Sequence, residues 1–131
     1  MAVAACQVRV RYAETDKMGV AYYANYFVWF EVGRCELLRT HGGSYRQLEE
    51  AGLLLPVIDA QCNYRAPARY DDTLTITTTG SLKSRARVTF SYEVSRQTTS
   101  ELLASGTTVH AATDPRGRPQ RIPATLQALL A

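Results

Sequence analysis

Coiled as a helix, the run Tyr26-Phe27-Val28-Trp29-Phe30 with Val32 leaves almost no polar face. It lies in a proline-free stretch from about Tyr22 to His41 that reads as a helix of about five turns, stopped by Gly42-Gly43. A helix that is apolar all round is buried all round. In a chain of 131 residues, that requires a sheet to curl about it. Solvent is reached only near its end, at Glu36, Arg39 and Thr40. Ser44 then caps a short second helix from Tyr45 to Ala51, ended by Gly52.

The remainder is mostly strand. In residues 6–12, Cys6, Val8, Val10 and Tyr12 alternate with Gln7, Arg9 and Arg11, the pattern of a half-buried strand. Residues 57–66, 73–82, 87–96 and about 102–113 read as four long strands, from strict alternation or from β-prone runs such as Leu74-Thr75-Ile76-Thr77-Thr78-Thr79. The short polar links at Leu82 to Ala86 and Arg96 to Ser100 imply antiparallel hairpins. Asp114-Pro115-Arg116-Gly117 is a turn, and Pro123 opens a last helix through Leu130. No repeat or linker interrupts this order, so residues 1–131 are expected to form one α+β domain: an antiparallel sheet of about five strands around one helix. A single sheet leaves edges that a second subunit could cover.

Composition excludes several classes. The net charge of +3 comes from scattered basic residues, which argues against nucleic-acid binding. No apolar stretch is long enough to span a bilayer, and the N-terminus has no signal-peptide pattern. Cys6, Cys35 and Cys62 are odd in number and widely spaced, which argues against disulfides or a zinc site and for a reducing cytoplasm. No cluster calls for a metal or a redox cofactor.

Chemistry concentrates in residues 12–26. Two carboxylates, Glu14 and Asp16, precede Gly19 and the start of the apolar helix. A carboxylate is ionised at neutral pH and can act as nucleophile or general base. Free N–H groups at a helix start, backed by the macrodipole, can stabilise an oxyanion. That pairing suits acyl transfer. Local pattern alone also allows Asp16 to be a helix cap or turn residue. Glu14 reads as a solvated loop residue, and Glu31 as the ion-pair partner of Arg34 three residues on. Tyr22, Tyr23 and Tyr26 read as core or interface aromatics that could line an acyl pocket. His41 and His110 are isolated and read as structural.

Arg11-Tyr12-Ala13-Glu14-Thr15-Asp16-Lys17-Met18-Gly19, followed by Tyr22-Tyr23-Ala24-Asn25-Tyr26, resembles the hotdog-fold acyl-CoA thioesterases, in the branch that includes hydroxybenzoyl-CoA thioesterase. The run Tyr64-Arg65-Ala66-Pro67-Ala68-Arg69-Tyr70-Asp71-Asp72 and the element order extend the likeness over nearly the whole chain. The resemblance implies a hotdog fold and hydrolysis of an acyl-CoA or acyl-carrier-protein thioester. It makes Asp16 the catalytic carboxylate and the Tyr23 backbone N–H an oxyanion donor. Gly19, Tyr22 and Tyr26 would lie around the acyl group, and Lys83, Arg85 and Arg87 would contact CoA phosphates. Many relatives carry His where Tyr23 stands, which favours an aromatic or otherwise non-standard acyl group. Homodimers or homotetramers are expected. The alternatives are a non-catalytic acyl-CoA-binding regulator and a hotdog dehydratase acting on hydroxyacyl thioesters; the absence of a histidine before His41 counts against the second.

Overall fold

A computed structural model describes residues 1–131. Five strands form one antiparallel sheet: β1 (Ala2–Arg9), β2 (Val57–Tyr64), β3 (Thr73–Ser84), β4 (Arg87–Arg96) and β5 (Leu102–Ala111). Their spatial order is β1-β3-β4-β5-β2. The period-2 patterns set the register. Leu74 and Ile76 of β3 face inward beside Val94 of β4, with Ile76 opposite Val94, and all three are fully buried.

Helix α1 (Asn25–Thr40) lies across β1, β3 and β4. Tyr26, Trp29, Phe30, Leu37 and Leu38 enter the core, and Phe30 stacks on Tyr92 with ring centroids 4.3 Å apart. Each such side chain contributes roughly 1.5–3 kcal/mol by leaving water. The short helix α2 (Tyr45–Glu50) starts at Ser44, whose hydroxyl accepts the Gln47 N–H at 3.1 Å. Helix α3 (Ala124–Leu130) packs Leu126 and Leu130 against the sheet beside β3.

Three expectations are corrected. The central helix begins at Asn25 rather than Tyr22, because residues 22–24 form a turn with Asn25 N–H donating to the Tyr22 carbonyl. It is also not buried all round: the sheet covers one side only, leaving Phe27 at 36% and Val28 at 51% exposure. The first strand covers Ala2–Arg9 rather than 6–12, and Tyr12 lies in a 3₁₀ turn (Tyr12–Glu14) with its ring in solvent. The five-stranded α+β architecture, the hairpins and the turn at Asp114 are as expected, with Gly117 N–H donating to the Asp114 carbonyl.

Because β1 and β3 run antiparallel, the loop after β1 and the hairpin after β3 lie at opposite ends of the sheet. Residues 10–24 share the first end with residues 66–72, joined by Val10 N–H to the Asp72 carbonyl and Ala21 N–H to the Ala68 carbonyl. Arg96 braces the second loop from β4, bonding Asp72, Glu101 and the Pro67 carbonyl.

Candidate active site

Between these two loops and the approach to α1 lies an open cavity of about 310 Å³. Asp16, Met18, Val20, Tyr23, Tyr26, Tyr64 and Arg65 are among its lining residues.

Asp16 sits in a tight turn. Its Oδ1 accepts the Met18 N–H at 2.9 Å, and its carbonyl accepts the Gly19 N–H at 3.0 Å. Gly19 has φ +81°, a left-handed conformation that glycine adopts without strain. An ideal Cβ there would touch nothing within 4 Å, so the turn rather than a close approach calls for glycine. The turn leaves Asp16 Oδ2 without a protein partner.

Tyr23 precedes α1 by two residues, and its backbone N–H makes no hydrogen bond within the chain. The peptide carrying that N–H is held from its other side, where the Tyr22 carbonyl accepts from Asn25. The N-cap, Ala24, supplies no capping side chain. An open donor with the helix dipole behind it is the local requirement for receiving negative charge.

The cavity walls are aromatic. The Tyr26 ring is edge-on to Tyr64 at 5.0 Å, and Tyr23 is edge-on to Tyr64 at 6.4 Å. Tyr26 is buried, and its hydroxyl accepts the Ala68 N–H. Tyr22 packs on Tyr23 at 4.7 Å, just outside the lining residues.

Two site features escaped the sequence. Tyr64 reaches back 41 residues, its hydroxyl donating to the Tyr23 carbonyl at 2.9 Å. Desolvation first, and the Cys62 thiol second, push its phenol up from the usual value, so it remains a neutral donor. Glu14 is not a solvated loop residue. It is 6% exposed, and both carboxylate oxygens are occupied, by Arg11 N–H and by the Trp29 indole. Their only sequence signal is occurrence within the motif runs that carry the family resemblance.

Lys83, Arg85 and Arg87 are all exposed at the β3–β4 hairpin. They are about ten strand residues, some 30 Å at ~3.3 Å per residue, from the end that holds Asp16. Within one chain the structure does not bring them to the cavity; Arg65 is the basic residue there, exposed and without an acidic partner. Glu31 and Arg34 meet at 3.9 Å, as the spacing suggested. Neither histidine lines the cavity. Burial is the leading cause raising the thiol pKa of Cys6, Cys35 and Cys62, so none is an activated nucleophile. No group of residues suited to a metal ion is present, and no helix is long and apolar enough to cross a membrane.

Residues 18–103 match the family model of the Thioesterase superfamily, a match that begins two residues past Asp16. YneP of Bacillus subtilis (strain 168) is 45% identical over 78 residues, 60% of this chain and 56% of YneP. The chain thus spans little more than half of that relative. The acyl-CoA thioesterase YbgC of Haemophilus influenzae is 37% identical over 106 residues, 80% of this chain and 76% of YbgC. The crystal structure of DHNA-CoA thioesterase from Staphylococcus aureus superposes with a TM-score of 0.87 at 34% identity, covering 92% of this chain and 81% of that one. The matched family and the sheet wrapped on α1 agree: this chain is a member of the thioesterase superfamily, with the hotdog fold.

Proposed function

We propose that this protein hydrolyses an acyl-CoA thioester to free CoA and a carboxylic acid. The observation that carries the reading is the convergence on one cavity of an Asp16 oxygen with no protein partner and a Tyr23 residue whose N–H is open. Asp16 either attacks the thioester carbonyl, giving a mixed anhydride that water opens, or takes a proton from the water that attacks. Both routes put negative charge on the carbonyl oxygen and expel the CoA thiolate. The Tyr23 N–H is the donor for that charge, a contribution of roughly 3 kcal/mol for a preorganised group. The relatives named as thioesterases of acyl-CoA and DHNA-CoA support the reading.

The walls formed by Tyr23, Tyr26 and Tyr64 favour a flat, aromatic acyl group. Arg65, an exposed cation of the cavity lining, would meet CoA phosphates. Lys83, Arg85 and Arg87 would do so only for a site on a neighbouring subunit.

We also infer a homodimer as the working unit. β2 is an edge strand with one unpaired side, and seven of its eight residues are exposed. Phe27, Val28, Val57 and Ala60 line a groove of about 290 Å³ beside it. A second copy would cover both features, and pairs of dimers would give a tetramer. The three free cysteines suit the reducing cytoplasm.

The test is release of free thiol from a panel of aromatic, short and long aliphatic acyl-CoA esters. Asp16→Asn should lower kcat by roughly 10²–10⁴-fold with an unchanged circular dichroism spectrum. Wild-type turnover by Asp16→Asn would refute the assignment. Tight binding without hydrolysis across the panel would favour the regulator instead.

A further inference from the structure

Residue 14 accepts hydrogen bonds from four groups in three places of the chain. Its Oε1 accepts the Arg11 N–H at 2.8 Å, and its Oε2 accepts the Trp29 Nε1–H at 3.2 Å, one turn inside α1. Its backbone carbonyl accepts the Tyr22 N–H at 2.8 Å and the Asn25 Nδ2–H at 2.7 Å. The Arg11 guanidinium lies 3.5 Å from Oε1 and compensates part of the charge.

A carboxylate this buried is costly unless it is fully bonded, so the geometry around it is held tightly. What it holds is specific. Asp16 follows two residues later on one side of the clamp. On the other, Tyr22 is the residue immediately before Tyr23. The two sides are also zipped by Asp16 N–H to the Val20 carbonyl and by a bridge between Thr15 and Ala21. The carboxylate and the oxyanion donor therefore take their separation from one anchor.

We propose that Glu14 is a positioning residue that sets the placement of Asp16 against the Tyr23 N–H, an inference that rests on the catalytic roles given to those two groups above. Glu14 does not touch substrate; it is absent from the cavity lining. Its carboxylate is required as such because both facing groups, Arg11 N–H and Trp29 Nε1–H, are donors. An amide of the same shape would turn an NH₂ toward one of them.

The test is Glu14→Gln, with two readouts. The first is steady-state hydrolysis at 10 °C, normalised to folded protein. A misplacement near 1 Å costs on the order of 10²-fold, so kcat should fall roughly 30- to 100-fold while KM stays within about threefold. The second is independent of chemistry: hydrogen exchange of the Tyr22 amide, with the Trp29 indole N–H resonance, the only one in the chain, as a marker. Tyr22 exchange should accelerate at least about tenfold while β3 and β4 amides stay protected.

A kcat within twofold of wild type overturns the positioning role. A fall in kcat with Tyr22 exchange unchanged overturns the clamp. If the wild type hydrolyses no ester in the panel, the catalytic reading fails by itself, and Tyr22 exchange still decides the clamp. If Glu14→Gln does not fold, Trp29→Phe removes one donor while keeping an aromatic ring. It should lower kcat by about fivefold with faster Tyr22 exchange, and wild-type values for both would count against the proposal.

Discussion

Replacing Gly33 by alanine sets two effects of known sign against each other. Gly33 lies in the interior of α1, where glycine costs about 1 kcal/mol relative to alanine, so helix propensity alone makes Gly33→Ala stabilising. The packing reverses that. An ideal Cβ at residue 33 would stand 2.4 Å from Thr78 Oγ1 and 2.8 Å from Ile76 Cγ2, both on β3. Thr78 and Ile76 are β-branched and fully buried, so neither can swing aside cheaply. The helix must lift from the sheet instead, an overpacking cost of about 1–3 kcal/mol or somewhat more at so short a distance. The net is a destabilisation of about 1–2 kcal/mol, or a melting temperature lower by roughly 4–8 °C. Lifting α1 also moves its first turn relative to Asp16, so kcat should fall several-fold. Thermal melts by circular dichroism measure the first effect, and thiol release measures the second. Adding Thr78→Ala removes the 2.4 Å contact, so the double variant should be more stable than the sum of the singles. A Gly33→Ala protein that melts higher than wild type would refute the reasoning, because propensity would then have outweighed contact.

Three further expectations concern charge and surface. His110 is fully buried between the Leu55 carbonyl and the Thr108 hydroxyl; desolvation first, helped by Arg34, lowers its pKa despite the Leu55 bond. With the folded value below the unfolded one near 6.5, its contribution is present above that pH and lost as pH falls toward the folded value. The melting temperature should be flat from pH 7 to 8 and decline below about 6.5, and His110→Asn should lack that decline. Arg65→Ala should raise KM for CoA esters but not for pantetheine esters, which lack the nucleotide phosphates. The triple alanine variant of Lys83, Arg85 and Arg87 should show the same split only if an oligomer places the hairpin by a neighbour's cavity. Val28→Glu puts a charge in the groove beside β2 and should yield monomers by sedimentation.

The elements most readable from the sequence are those whose partners are close in sequence or whose pattern repeats. β3 and β4 alternate cleanly, and short links join them to each other and to β5, so their pairing follows from period and turn length. The placing of Asp16 beside the approach to α1 was readable because a carboxylate, a glycine and a helix start fall within a few residues, but that pattern equally allowed a turn or cap, and the family resemblance singled the residue out. Glu14 was not, because its buried state depends on Trp29, fifteen residues away, and no local pattern encodes a hydrogen bond to an indole. Tyr64 was hidden for the same reason on a longer scale. The misreading of α1 has another cause: hydropathy does not say which apolar residues a sheet will cover, and Phe27 and Val28 lie on the side that this sheet leaves open. The separation of Lys83, Arg85 and Arg87 from Asp16 was deducible, since antiparallel pairing of consecutive sheet neighbours puts alternate loops at opposite ends.

The start of α1 shows why the site is built from long-range bonds rather than from ordinary capping. Ser, Thr, Asp or Asn at the N-cap would stabilise the helix by about 1 kcal/mol by accepting an N–H of its first turn. This chain has Ala24 there, and the good capping residue, Asn25, stands one place further on with its side chain turned back to the Glu14 carbonyl. A capping oxygen beside residues 23–25 would crowd the place that the proposed reading gives to a thioester oxygen. Leaving it open forfeits the cap, and the order that a cap would supply has to come from elsewhere. Glu14, Trp29 and Tyr64 supply it from outside the cavity or from its far wall, each bonding the loop without touching the open Tyr23 N–H. The same polar accounting thus explains a weak helix start, a buried carboxylate and a tyrosine hydroxyl spent on a backbone carbonyl: all three keep one donor rigid and vacant.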